Sequence, residues 1–160
     1  MSLPNWLPSL ITLVQSNGDW ELYLNKIYEH FLDDFIRQTC SFRGIKIAIK
    51  RHPQIDHKEI TFWHIISDGE DESKRLPNLR RCERIGWPRP IITRVPNSEI
   101  KMWENKRGTE KRICLWVEKA EYLVVLAVRN NYLLLWTAYP VTQAHSKKKL
   151  EKEYLSSLKS

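Results

Sequence analysis

The block from 101 to 141 holds four apolar runs in quick succession, "IKMWEN", "RICLWVEK", "YLVVLAVR" and "YLLLWTAYPV", divided by the short polar turns "KRGTEK", "KAE" and "NN". Runs of this length, rich in β-branched and aromatic residues and bounded by turn residues, read as strands, and connections this short join antiparallel neighbours. The last pair, Val124–Val128 and Tyr132–Tyr139, makes a hairpin around Asn130-Asn131, residues that suit a primed turn with positive φ. An antiparallel sheet of about four strands is therefore predicted. Strict alternation along its last strand places Leu133, Leu135, Thr137 and Tyr139 on one face and Leu134, Trp136 and Ala138 on the other. The two hydroxyls are then either the wet end of a core strand or the floor of a site.

The flanking segments supply the layers that cover such a sheet. Trp20, Leu24, Ile27, Tyr28, Phe31 and Phe35 recur at helical spacing, and Asn17 or Asp19 can cap the start, so an amphipathic helix is predicted over 19–40. In "FRGIKIAIKRHP" the period changes to two, with Ile45, Ile47 and Ile49 alternating against Lys46, Ala48 and Lys50. A second β-like run at 60–66 then makes 45–66 a hairpin-like segment, closed by the acidic turn "SDGEDES". The stretch 74–94 reads as one or two helical turns followed by an extended exit fixed by Pro88 and Pro90. The tail over 145–158 carries Leu150, Tyr154, Leu155 and Leu158 at helical spacing among lysines, a short basic helix. A single α+β domain over 1–160 is the expectation, with an N-terminal helix on a curved antiparallel sheet and a basic helix at the C-terminal end.

Twenty-six Lys and Arg stand against 19 Asp and Glu, giving a formal charge of +7 and a sequence pI of about 9.4. That balance favours a polyanionic partner, without separating RNA from DNA or an anionic membrane. Cys40, Cys82 and Cys114 are odd in number and widely spaced, which fits neither a disulfide framework nor a metal knuckle and points to a reducing cytoplasm. The N-terminal stretch lacks a signal peptide's basic start and cleavage site, and no apolar run reaches the roughly 20 residues of a membrane span. There is no P-loop, H-E-x-x-H, C-x-x-C or dinucleotide fingerprint, and the acidic turn lacks the spacing of a calcium loop.

Chemistry concentrates between Lys74 and Arg94, where Arg75, Arg80, Arg81, Arg84, Arg89 and Arg94 face Glu83 alone. A guanidinium fork matches phosphate oxygens and stacks on bases, and one helical turn would set Arg80 or Arg81 beside Arg84. The alternative is a solvated charged surface whose arginines pair with "DGEDE". Cys82 lies among those arginines, which would depress its thiol pKa, but no histidine accompanies it in sequence. His52, His57 and His64 cluster in "RHPQIDHKEITFWHIIS". His64, inside the apolar run, is either a core residue or a proton-transfer group. Trp20, Trp116 and Trp136 read as core, whereas Trp87 and Trp103, flanked by cations and polar turns, are open to base stacking as well as to packing.

Two stretches, "TFWHIISDGEDESKRLPNLRRCERIGWPRPII" and "RICLWVEKAEYLVVLAVRNNYLLLWTAYPV", resemble the phage- and prophage-associated proteins placed in the barnase, EndoU, colicin-nuclease and RelE-like superfamily. The resemblance covers roughly residues 60–142 and is stronger in its second half. It implies N-terminal helices on a curved antiparallel sheet of about four strands whose concave face binds RNA. It also implies a metal-independent endoribonuclease without a cofactor, often a toxin controlled by an acidic antitoxin or immunity protein. Such enzymes cut by attack of the ribose 2′-OH and leave a cyclic phosphate. Carried onto this chain, the resemblance makes His64 the general base or acid. Arg81 and Arg84 become the groups on the scissile phosphate, and Thr137 and Tyr139 the hydroxyls that position it. Lys111 or Arg112 would add a cation, and Arg75, Arg80, Trp87 and Arg89 would line the RNA path. A non-catalytic RNA-binding module and a protein-interaction adaptor on the same scaffold are the alternatives.

Overall fold

The computed structural model describes residues 2–69, 71 and 74–159. Glu70 and Glu72 of the predicted acidic turn lie outside the described residues. A 3-10 turn at Leu13–Ser16 leads into α1 (Trp20–Phe35), which starts where predicted, with Asp19 accepting the Leu22 amide at 3.2 Å. Its buried stripe is Tyr23, Leu24, Ile27, Phe31 and Phe35. The helix ends there, short of residue 40, because no further apolar residue continues the stripe before Cys40 once Ile36 has capped it.

Next come β1 (Ser41–Phe42), β2 (Ile45–Ala48), β3 (Gln54–Ile55), β4 (Lys58–Glu59), α2 (Ile60–Ile66) and β5 (Ser67–Asp68). The chain continues through β6 (Leu76–Pro77), α3 (Leu79–Glu83), α4 (Pro88–Thr93), β7 (Lys101–Arg107), β8 (Glu110–Val117), β9 (Tyr122–Val128), β10 (Leu133–Pro140) and α5 (Ala144–Ser157).

Two local expectations are overturned. The run 60–66 is a helix, not the second strand of a hairpin. Ile60, Thr61, Phe62, Ile65 and Ile66 are buried, a grouping that fits a helix face and would waste half of a strand. Thr61 anchors the first turn of α2, its Oγ1 accepting from Lys50 N at 2.8 Å and donating to Lys50 O at 3.1 Å. Pro88 and Pro90 do not enforce an extended exit but occupy the first turn of α4, where an amide proton is not required.

The sheet curls into a half-barrel of six strands in the order β1-β2-β10-β9-β8-β7, instead of four antiparallel ones. The β7 to β10 meander is the predicted block; β1 and β2 extend it because β2 lies parallel to β10, with Ile47 opposite Leu133 and Ala48 opposite Leu134. Pairing between segments so distant in sequence leaves no local signal. Helices α1 to α4 cover one face and α5 the other, so β8 and β9 are buried on both sides, which explains their unbroken apolar runs.

A β-bulge decides which face each residue of β10 meets. Leu135 pairs with Leu126 and Thr137 with Val125, so Trp136 is an extra residue and the alternation shifts by one. Leu133, Leu135 and Ala138 enter the large core under α1 to α4, while Trp136 and Tyr139 join a second cluster on the α5 face. The predicted sharing of one face by Leu133, Leu135, Thr137 and Tyr139 is therefore corrected. The second cluster comprises Trp103, Cys114, Trp116, Leu123, Val125 and Val141, with Leu150 and Tyr154 of α5 packed on it.

His30 on α1 lies 3.2 Å from Asp34, one turn on, and this carboxylate, as acceptor for the imidazole N–H, raises the imidazole pKa above its ordinary value of about 6.5. A raised folded-state pKa stabilises the fold fully below the unfolded value and loses that contribution as pH rises through the folded one. Relative to His30→Gln, the protein is expected to hold an advantage of at most about 1 kcal/mol near pH 6 that declines as pH rises above 6.5. Urea midpoints of both proteins across pH 5.5 to 8.5 measure this; a difference that grows with pH would refute it.

Candidate nucleic-acid interface

The arginine-rich segment is largely consumed inside the molecule. Helix α2 ends with unpaired carbonyls, and two guanidiniums cap them. Arg75 donates to His64 O at 3.1 Å, Ser67 O at 2.5 Å and Gly69 O at 3.1 Å; Arg81 donates to His64 O at 3.2 Å and Ser67 O at 2.7 Å. Burial lowers the Arg81 pKa, partly offset by Asp68. Arg84 donates to Arg80 O at 2.9 Å and Glu83 Oε1 at 3.3 Å, and its guanidinium lies 5.1 Å from the Trp87 ring centre. Arg89 closes the end of α1 through Asp34 O at 2.6 Å and Thr39 O at 3.0 Å. Of these arginines Arg80 and Arg94 are exposed, Arg80 beside Glu83 at 3.1 Å and Arg94 with its guanidinium 5.2 Å from the Trp6 ring centre.

Of the two readings of Trp87, packing holds. Its ring is 1% exposed, meets Tyr122 edge-on at 5.2 Å, and donates to Pro8 O at 2.9 Å. No base can stack there. Trp103 is buried as well, donating to Glu153 at 3.1 Å. The Cys82 thiol is pushed up to about 12 by burial, the reverse of the expected effect of its arginine neighbours.

The predicted catalytic residues divide between two cavities joined by Arg81. The half-buried His64 lines a cavity of about 330 Å³ with Asp56, Trp63, Arg75 and Pro77. Thr137 and Tyr139 lie beyond α3, on the α5 side of the sheet. The Arg81 guanidinium spans the gap: it grips the His64 carbonyl and lies 5.1 Å from the Tyr139 ring centre. Arg84, turned toward Trp87, does not join them.

On the far side Tyr139 forms part of a groove of about 520 Å³ between the sheet edge and the start of α5, lined also by Arg107, Gln143, His145, Lys149 and Glu153. Arg107, Tyr139, Leu150 and Glu153 also line an adjoining recess of about 110 Å³ that reaches Asn105, Arg112, Trp136 and Thr137. Arg112 is held by Glu110 at 2.7 Å, lies 4.8 Å from the Trp136 ring centre, and with Arg129 keeps the Glu110 pKa low. Arg107 is exposed, and its side chain makes no hydrogen bond or ion pair among the described residues. Lys111 is exposed at the β7–β8 turn. Burial raises the Tyr139 pKa against the pull of Arg81 and Arg107, which favours the protonated phenol.

Arg107, Asn105, His145, Lys149 and Glu153 were not among the predicted site residues. Lys101, Trp103, Asn105 and Arg107 alternate along β7, so their common face could have been read from sequence. The α5 residues had no such signal, since only docking of the helix brings them to the sheet.

Fold and groove together define an α+β protein with a groove at the sheet edge lined by Arg107, Tyr139, His145, Lys149 and Glu153. Compared with known proteins, the chain matches no family model, no curated protein and no solved structure. No helix among the described residues is long and apolar enough to cross a membrane.

Proposed function

We propose that the chain is a metal-independent endoribonuclease that cleaves RNA by attack of the ribose 2′-OH on the adjoining phosphate. The observation that carries this reading is the Arg81–Tyr139 contact, a guanidinium 5.1 Å from the ring of a phenol that keeps its proton, at the edge of a groove that also holds Arg107 and Lys149. Phosphoryl transfer of this kind needs cations where charge develops on the phosphate, an acceptor for the 2′-OH proton and a donor for the leaving 5′-oxygen. In this reading Arg81 and Arg107 face the phosphate. For this the His64 imidazole turns from its own cavity toward the phosphate beside Arg81, which holds the His64 carbonyl, and takes the 2′-OH proton as the O2′–P bond forms, while Tyr139 gives its proton to O5′ as the P–O5′ bond breaks. Thr137 orients the phosphate. The resemblance to the phage-associated nucleases points the same way. An acidic inhibitor protein is the natural partner of such a groove, because its carboxylates would occupy the positions of the phosphates.

Labelled RNA incubated with the protein in EDTA is expected to yield fragments with cyclic-phosphate ends, and His64→Ala, if it folds, to abolish them. Intact RNA with a salt-sensitive mobility shift would leave the non-catalytic binding module. Cleavage that survives in His64→Ala would remove that residue from the mechanism.

A further inference from the structure

The α5 face of the sheet is a second, covered surface with the composition of a nucleic-acid platform. Strand register aligns its side chains in rows: Lys101, Trp116, Leu123 and Tyr139; then Trp103, Cys114, Val125 and Thr137; then Asn105, Arg112, Ala127 and Leu134. With the bulged Trp136, four aromatic rings lie among cations, and three of them carry one directly, Lys101 at 5.3 Å from the Trp116 centre, Arg112 at 4.8 Å from Trp136 and Arg81 at 5.1 Å from Tyr139. Interleaved rings and cations on an open sheet suit bases and phosphates of a single strand. Trp116 Nε1 and Asn105 Oδ1 are buried on this surface without a hydrogen-bond partner among the described residues.

What covers the platform is weakly held. None of the residues of α5 is fully buried, and no side chain caps its N-terminus. Only Leu150 and Tyr154 pack on the apolar cluster. The remaining ties are polar. Glu151 takes Lys101 at 2.8 Å, Glu153 takes Trp103 Nε1 and Asn105 Nδ2 at 3.1 Å each, and Lys147 pairs with Glu121. Two carboxylates of a helix that also carries Lys147, Lys148, Lys149 and Lys152 therefore sit on sheet donors, the positions anionic groups of a bound strand would take.

We propose that α5 is an internal stand-in for RNA, a strap that single-stranded RNA displaces to reach the sheet face beneath it. This rests on the RNA reading of the adjoining groove and adds to it a larger binding surface and its control. On release, the lysines of α5 are free to follow the phosphate backbone.

Hydrogen exchange of the full chain, with and without a single-stranded 2′-O-methyl oligoribonucleotide, tests this, because the blocked 2′-OH binds without being cut. On binding, amides of α5 are expected to lose protection while β8 and β10 keep or gain it. Tyr154→Ala, neutral in charge and remote from the large core, is expected to bind the oligonucleotide several-fold more tightly, in the range of ordinary coupling between sites. Failure of the oligonucleotide to bind, unchanged or increased protection of α5 in the complex, or unchanged or weaker binding by Tyr154→Ala would each overturn the proposal. Displacement of α5 without any cleavage of unmodified RNA would sink the enzyme reading and leave the strap standing; cleavage with α5 in place would do the opposite.

Discussion

Trp87→Ala is expected to lower the unfolding free energy by about 3–5 kcal/mol, the usual cost of deleting a large buried aromatic side chain. The ring is 1% exposed and sits where the N-terminal segment, α3, α4 and β9 meet: it donates to Pro8 O, meets Tyr122 edge-on and lies under Arg84. Truncation opens a cavity, leaves the Pro8 carbonyl without its donor and strips the packing from one face of the Arg84 guanidinium. Trp87→Phe keeps most of the volume and loses the N–H bond, so its cost is expected near 1–2 kcal/mol. Urea denaturation of the three proteins gives both numbers. A loss under 1 kcal/mol for the alanine variant, accompanied by weaker RNA binding, would return Trp87 to the surface role that its basic flanks first admitted.

Tyr139→Phe is expected to leave stability within about 1 kcal/mol of the parent while slowing RNA cleavage roughly 10²–10⁴-fold, the ordinary contribution of one proton-transfer group. The ring that faces Arg81 is retained, and the hydroxyl donates no hydrogen bond among the described residues, so its removal strands no partner. Direction of the pKa shift adds a second readout. Burial raises the phenol above its ordinary value of about 10, so the protonated acid persists through neutral pH and the alkaline fall in rate lies above pH 10. Single-turnover rates against pH decide it. A fall centred well below pH 10, or a phenylalanine variant as fast as the parent, would exclude Tyr139 as the acid.

Arginine illustrates how composition and location part company. The segment from Arg75 to Arg89 has the residue types of a phosphate-binding patch, yet Arg75, Arg81 and Arg89 spend their forks on carbonyls that end α2 and α1. A guanidinium fits a helix C-terminus as well as it fits a phosphate, because both present oxygen and negative potential. Residue type alone cannot choose between them. Arg81 closes α2 and also lies over the Tyr139 ring.

Periodic segments were legible before any tertiary contact was known: α1 with its Asp19 cap, the β7 to β10 meander, and the basic helix α5 all follow from local spacing, although Asn130 and Asn131 do not take the positive φ of the primed turn expected between β9 and β10. The same local rules misassigned 60–66, since a seven-residue apolar run satisfies a strand and a helix alike until its neighbours choose. Three further features required the folded chain. Parallel pairing of β2 with β10 joins segments far apart in sequence. The bulge at Trp136 moved Thr137 and Tyr139 from the face under α1 to α4 to the face under α5. Docking of α5 brought His145, Lys149 and Glu153 to Arg107 and Tyr139. A period of two or 3.6 is set by bonds along one segment and can be read from it, whereas register, face and the meeting of two side chains depend on which distant surface each segment buries against.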